Sequence, residues 1–142
     1  MTFDKAEKII RAVCAALGAV GGFFFGELDG LFFAVVAVMA ADYVTGVIAA
    51  AVLKRLSSSA GFRGIVKKLF MITLIALGHI IDAYVIGQGA ALMTAVELFF
   101  LANESLSICE NAGELGLPIP KKLREMLAQL KNDEEDKDNN GD

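Results

Sequence analysis

The feature that most limits how this chain folds is the length and spacing of its apolar runs. Four stretches, Ile9 to Gly26, Leu31 to Leu53, Leu69 to Gly87 and Ala90 to Ile108, are each close to the roughly 17 to 25 mainly apolar residues that a helix needs to cross a bilayer. The charges are crowded into the gaps between the runs, whereas a soluble helical protein would place charge along the outer face of every helix. The 142 residues are 56% hydrophobic, above the range of about 45 to 50% apolar that soluble domains show. The surplus is expected to face lipid. The reading is an all-α membrane protein of about four transmembrane helices, in a domain covering residues 1–111. A cytoplasmic amphipathic helix is expected over 112–131 and a disordered acidic tail over 132–142.

The boundaries follow from local chemistry. Glu27, Leu28, Asp29 and Gly30 separate the first two runs, and Gly87, Gln88 and Gly89 divide an apolar stretch twice the length of one span. Lys5, Lys8 and Arg11 ahead of the first run imitate a signal peptide, but that run closes on Phe23, Phe24 and Phe25, a poor cleavage site. An uncleaved first span is therefore expected. Pro120 suits the first turn of a helix in which Leu123, Met126, Leu127 and Leu130 recur at helical spacing. From Asn132 onward the residues are polar and acidic, as in a solvated tail.

Orientation comes from the cations. The stretch from Lys54 to Lys68 carries Lys54, Arg55, Arg63, Lys67 and Lys68 with no acidic residue, which places it in the cytoplasm as a loop. With four spans both termini are then cytoplasmic as well, in agreement with the basic residues near each end.

Several classes of function find no support. The net charge of −4 comes largely from the tail, and no basic patch interleaved with aromatics suggests a nucleic-acid partner. Cys14 and Cys109 lie far apart in apolar segments and read as small buried hydrophobes. One histidine, with no cysteine beside it, makes a poor metal site, and no nucleophile, phosphate-cradling glycine motif or cofactor site stands out. The chain is not expected to be an enzyme or to need a cofactor or metal.

What remains are polar groups and small residues inside apolar helices. Cys14, Gly18, Gly22 and Gly26 recur every fourth residue, a row that lets two backbones approach closely in lipid; Gly46, beside a similar row in the second span, joins this helix-packing set. Asp42 lies near the middle of the second span, where a carboxylate costs about 2.5 to 3.5 kcal/mol on insertion scales and so must face protein or water, neutral or paired. His79 and Asp82, three residues apart, share a helix face and could bond one another. In the fourth run Thr94, Glu97, Leu101, Glu104, Ser107 and Asn111 form a mainly polar stripe that can line an aqueous path or lie toward the headgroups. Asp42, His79, Asp82, Glu97 and Glu104 are the candidate membrane-buried or pore-lining groups.

The residues also resemble a family. Asp42, Tyr43, Val44, Thr45 and Gly46 are followed by Ser57, Ser58, Gly61, Phe62, Arg63, Gly64, Ile65, Lys67 and Lys68, and then by Asp82. The clearest block is Asn103, Glu104, Ser105, Leu106, Ser107 and Ile108 with Glu110, Asn111 and Ala112, then Gly116, Leu117, Pro118, Ile119, Pro120 and Leu123. In this order, over about residues 42–130, the chain is similar to the phage holins that include toxin-secretion holins of Gram-positive bacteria. The first span carries no part of the resemblance. The resemblance implies a protein of the bacterial host membrane whose partners are the lipid bilayer and further copies of itself. It would accumulate as large homo-oligomers, then open the membrane, collapsing its potential and releasing an endolysin or a stored toxin. A small four-span proton-coupled exporter, with Asp42 or Glu97 exchanging the proton, is the alternative that size and topology allow.

Overall fold

A computed structural model describes residues 2–126 and 129, and all regular structure among them is helical. Four helices are long and apolar enough to cross a membrane. Helix α1 spans Thr2–Phe25, α2 Gly30–Val52, α3 Ser58–Ile80 and α4 Ala91–Glu114. A π-helical segment, Ile81–Ile86, continues α3 without a break.

Helices α1, α3 and α4 extend beyond their apolar runs, because hydropathy marks only the length that meets lipid, whereas α2 matches its run to within a residue at each end. Helix α1 starts seven residues before Ile9, and its polar first turns hold the i,i+4 pairs Asp4–Lys8 (3.0 Å) and Glu7–Arg11 (2.7 Å). Asp29 caps α2 by accepting from the Phe32 N–H at 2.9 Å. The stretch expected to be a loop from Lys54 to Lys68 is mostly helical. Ser57 caps α3 through the Ala60 N–H, so that α3 begins at Ser58, eleven residues before Leu69, and carries Arg63, Lys67 and Lys68 on its own surface. Helix α4 likewise runs through residue 111 to Glu114 before Gly116 turns with φ +77°. Residues 121–126 are helical; Leu127, Leu130 and the acidic tail lie outside the described residues.

Two glycines set the turns. Gly26, expected within the first span, instead follows α1 with φ +64°, and its N–H closes on the Gly22 carbonyl at 2.9 Å. Gly87 has φ +85° and donates to the Asp82 carbonyl at 2.9 Å, ending the π-helical segment at the glycine break read from the sequence.

Helix α4 is the centre of the bundle and packs against both α2 and α3, whereas α1 lies mainly along α3, with the rings of Phe25 and Phe23 at its end against Phe32 of α2 and Tyr84 of the π-helical segment. The core is thin: Val35 and Met39 of α2, Met71 and Ile75 of α3, and Met93 and Phe100 of α4. These recur at steps of four or seven, the spacing of one helix face. At the apolar end, α3 and α4 approach so closely that a Cβ at Gly78 would lie 3.0 Å from the Met93 Cα. Large apolar side chains on every helix point outward, among them Leu17, Phe33, Phe70 and Leu98. In water such a surface would aggregate, and in a bilayer it is the lipid contact. The chain is a multi-pass membrane protein.

Candidate functional site

Three helices bring one charged residue each to the same height. Asp42 lies ten residues before the end of α2, Lys68 ten residues into α3 and Glu104 ten residues before the end of α4. Since α3 runs opposite to the other two, all three sit about 15 Å in from the ends nearest Lys54. The Lys68 Nζ donates to Asp42 Oδ2 at 2.8 Å and is also hydrogen-bonded to Glu104 Oε2. Lys67 Nζ stands 4.0 Å from Glu104 Oε1.

Polar neighbours complete the layer. Asn111, two turns beyond Glu104 on α4, directs its side-chain amide to Asp42 Oδ1 at 3.3 Å and to Thr45 Oγ1 at 3.0 Å. The Thr45 hydroxyl in turn donates to the Asp42 carbonyl at 3.0 Å. Gly46 lies opposite the same amide, with room for a Cβ at 3.5 Å. Tyr43 reaches across from α2 to α3, where its ring and hydroxyl lie against Gly64 and Gly61. A cavity of about 690 Å³ opens between α2 and α3 beside this layer, with Asp42, Lys68, Ser107 and Asn111 at its inner end. Burial differs among the charged groups: Asp42 and Lys68 side chains keep 15% of their surface exposed, but Glu104 keeps 1%. Glu104 Oε1 has no hydrogen-bond partner among the described residues.

The other candidates lie elsewhere. Glu97, seven residues before Glu104, is equally buried, and its Oε1 is also without a hydrogen bond among the described residues. Asp82 does not pair with His79. Its carboxylate accepts from the backbone N–H groups of Leu92 (3.2 Å) and Met93 (2.8 Å), and so caps α4 from the preceding helix. That bond satisfies amides which Ala90, lacking a capping side chain, leaves open. His79 rests against Gly26, where a Cβ would come within 2.5 Å of the imidazole. A Cβ at Gly18 or Gly22 would meet nothing within 4 Å, and Cys14 is exposed while Cys109 is buried. Of the motif residues, Asn103 and Ser107 are half-buried, Glu110 is exposed, and Gly116, Pro118 and Pro120 form the exit from α4.

Asp42, Gly46, Glu104 and Asn111 are thus brought together from positions far apart, while His79, Asp82 and Glu97 are not part of the layer. Sequence reasoning missed Lys68, counting it as one of five loop cations. A signal was available: an aspartate within a span calls for a counter-charge, and Lys68 is the cation nearest the following apolar run. The polar stripe of α4 turns Glu97 and Glu104 into the bundle in the single chain, and not toward lipid.

Comparison with known proteins gives these residues a family. The chain is 36% identical over 132 residues to an uncharacterised protein of Halalkalibacterium halodurans, covering 90% of this chain and 98% of the relative. It is 39% identical over 121 residues to an uncharacterised protein of Listeria innocua, covering 85% and 86%. A third relative, an uncharacterised 14.9 kDa protein in the nagH 3′ region of Clostridium perfringens, is 34% identical over 129 residues, covering 89% and 98%. No solved structure matches. The match to the family extends over residues 19–132, and so includes the last turns of α1, which the sequence motifs alone had left out. With four candidate spans and a match over most of its length, the chain belongs to the bacteriophage holin family, a family of membrane pores and not of enzymes.

Proposed function

We propose that this protein is a holin that assembles with further copies of itself in the bacterial cytoplasmic membrane and opens it, collapsing the potential and releasing an endolysin or toxin. The observation that carries the reading is the charged layer of Asp42, Lys68 and Glu104 inside a small bundle of this family. Ionisable groups within a membrane domain face protein or water. In the single chain these groups satisfy one another. If neighbouring subunits replace the contacts between α2, α3 and α4, the same groups turn toward a shared aqueous path without facing lipid.

Two further features support assembly. Helix α1 has no buried residue from Asp4 to Phe25 and lies mainly along α3, and a Cβ at Gly18 or Gly22 would meet nothing within 4 Å among the described residues. Small residues on a free face permit close helix packing where lipid supplies no hydrophobic force. The basic stretch 54–68 is placed in the cytoplasm, together with both termini, by the bias of Lys and Arg toward that side.

The test is expression in a bacterium with a potential-sensitive dye. The wild type is expected to collapse the potential abruptly after a period of accumulation. Glu104→Leu should reach the same membrane level but collapse the potential late or not at all. Collapse by Glu104→Leu at the wild-type time would remove the charged layer from the mechanism.

A further inference from the structure

Glu97 is a buried carboxyl group that neither the charged layer nor a helix cap uses. It lies on α4 between Met93, one turn before it, and Phe100, one turn after, and both of these belong to the apolar core. Only 1% of it is exposed. Its Oε1 has no hydrogen bond, and no cation forms an ion pair with it, among the described residues. The charged and titratable groups on the elements around this half of α4 are engaged elsewhere or carry the wrong sign. On α3, Lys68 is committed to Asp42 and Glu104, and His79 rests against Gly26. Asp82 of the π-helical segment holds the Leu92 and Met93 amides. Glu27, between α1 and α2, is exposed. Asp29, the cap of α2, does act on Glu97 through its charge, but that charge is negative.

A carboxylate shut off from water with no counter-charge is far more costly than the neutral acid, which leaves only an uncharged polar group short of partners. Position then ties Glu97 to opening. Glu97 and Glu104 are seven residues apart, so they share one face of α4 at about 10 Å along its axis. A rigid helix that turns Glu104 toward an aqueous path turns Glu97 with it. We propose that Glu97 is a proton-binding site, its carboxyl group holding a proton while α4 is covered and giving that proton to water when α4 turns. The O–H bond breaks, one proton per subunit passes to water, and a carboxylate is left facing the path. The link to opening rests on the pore reading above, whereas the proton site of the closed bundle does not. Because the open form binds fewer protons, raising the pH favours it. The ratio of open to closed form should rise by up to about tenfold per pH unit for each subunit between about pH 5 and 7, above the ordinary glutamate range.

Infrared spectroscopy of the purified full-length chain in micelles reads the proton through the carbonyl stretch of a protonated carboxyl group, at about pH 6, where carboxyl groups in water have ionised. The wild type should show this band, Glu104→Gln should keep it and Glu97→Gln should lack it, with helix content by circular dichroism as the control on folding. Histidine also titrates in this range, so the pH series is run on a His79→Gln background with and without Glu97→Gln. With Glu97 present, the midpoint of SDS-induced unfolding should fall as the pH rises, because the proton that stabilises the covered carboxyl group is being lost. The protein density needed to empty dye-loaded liposomes should fall over the same range. Both trends should vanish with Glu97→Gln, whose neutral amide has no proton to release. An infrared spectrum that Glu97→Gln leaves unchanged would overturn the proton site, as would equal pH trends of the unfolding midpoint with and without Glu97. Equal pH trends of the liposome threshold would overturn the link to opening. Liposomes that stay sealed at every pH and density would instead sink the pore reading and the link with it, while the infrared band still decides the site.

Discussion

Lys68→Met removes the one cation shared by Asp42 and Glu104 and leaves two carboxylates facing each other across α2 and α4. Glu104 is 1% exposed and Asp42 15%, so water screens the pair poorly. Removing one partner of a buried ion pair costs about 3 to 5 kcal/mol, because the charge left behind has lost its hydration without gaining a counter-charge. Lys67 offsets part of this, standing 4.0 Å from Glu104, so the lower end of that range is expected. A loss of about 3 kcal/mol is a change of over a hundredfold in the ratio of folded to unfolded bundle. The assay is the midpoint of SDS-induced unfolding in mixed micelles, followed by circular dichroism. Glu104→Gln should shift the midpoint less, since the Asp42–Lys68 pair survives it. The triple variant Asp42→Asn, Lys68→Met, Glu104→Gln should recover most of the loss, because no charge is then unpaired. A Lys68→Met midpoint equal to wild type, or a triple variant no better than Lys68→Met, would refute the claim that charge pairing holds the layer together.

Other substitutions probe the rest of the fold. Asp82→Ala should cost about 1 to 3 kcal/mol by uncovering two amides of α4, seen as faster hydrogen exchange at Leu92 and Met93, while Asp82→Asn should cost less because it keeps an acceptor. Gly26→Ala should lower the unfolding midpoint by about 1 to 2 kcal/mol, since it puts a Cβ at φ +64° and into the His79 ring. By contrast, a Cβ at Gly18 or Gly22 meets nothing within 4 Å among the described residues, so Gly18→Leu and Gly22→Leu should leave that midpoint unchanged while shortening the crosslinked oligomer ladder. A cysteine at Ser58, on a background lacking Cys14 and Cys109, should resist an impermeant thiol reagent added outside cells.

The sequence showed the parts of this structure that depend on a single helix. Run length revealed four spans, the Gly87 to Gly89 break marked a turn, and Asp42 and Glu104 stood out as polar groups that lipid would reject. It did not show what depends on two helices meeting. Lys68 is 26 residues from Asp42 and 36 from Glu104, and periodicity carries no information about which faces oppose one another. The His79 and Asp82 pairing failed for the same reason. Two neighbours on one helix competed with the open amides of α4, and a carboxylate finds two backbone donors there that bind it better than one side chain on its own turn. Hydropathy also placed the start of α3 eleven residues late, because a helix leaving lipid stays a helix when a cap such as Ser57 supplies its first bonds.

The central claim, that copies of this chain open a membrane widely enough for a folded protein to pass, is most directly tested with purified protein in liposomes loaded with a cell-wall hydrolase and a pH-sensitive dye. The account predicts that the hydrolase escapes together with dissipation of the proton gradient once the protein exceeds a threshold density, and that Glu104→Leu raises that threshold. Dissipation of the proton gradient while the hydrolase stays inside at every density would contradict it and point to a small-ion transporter.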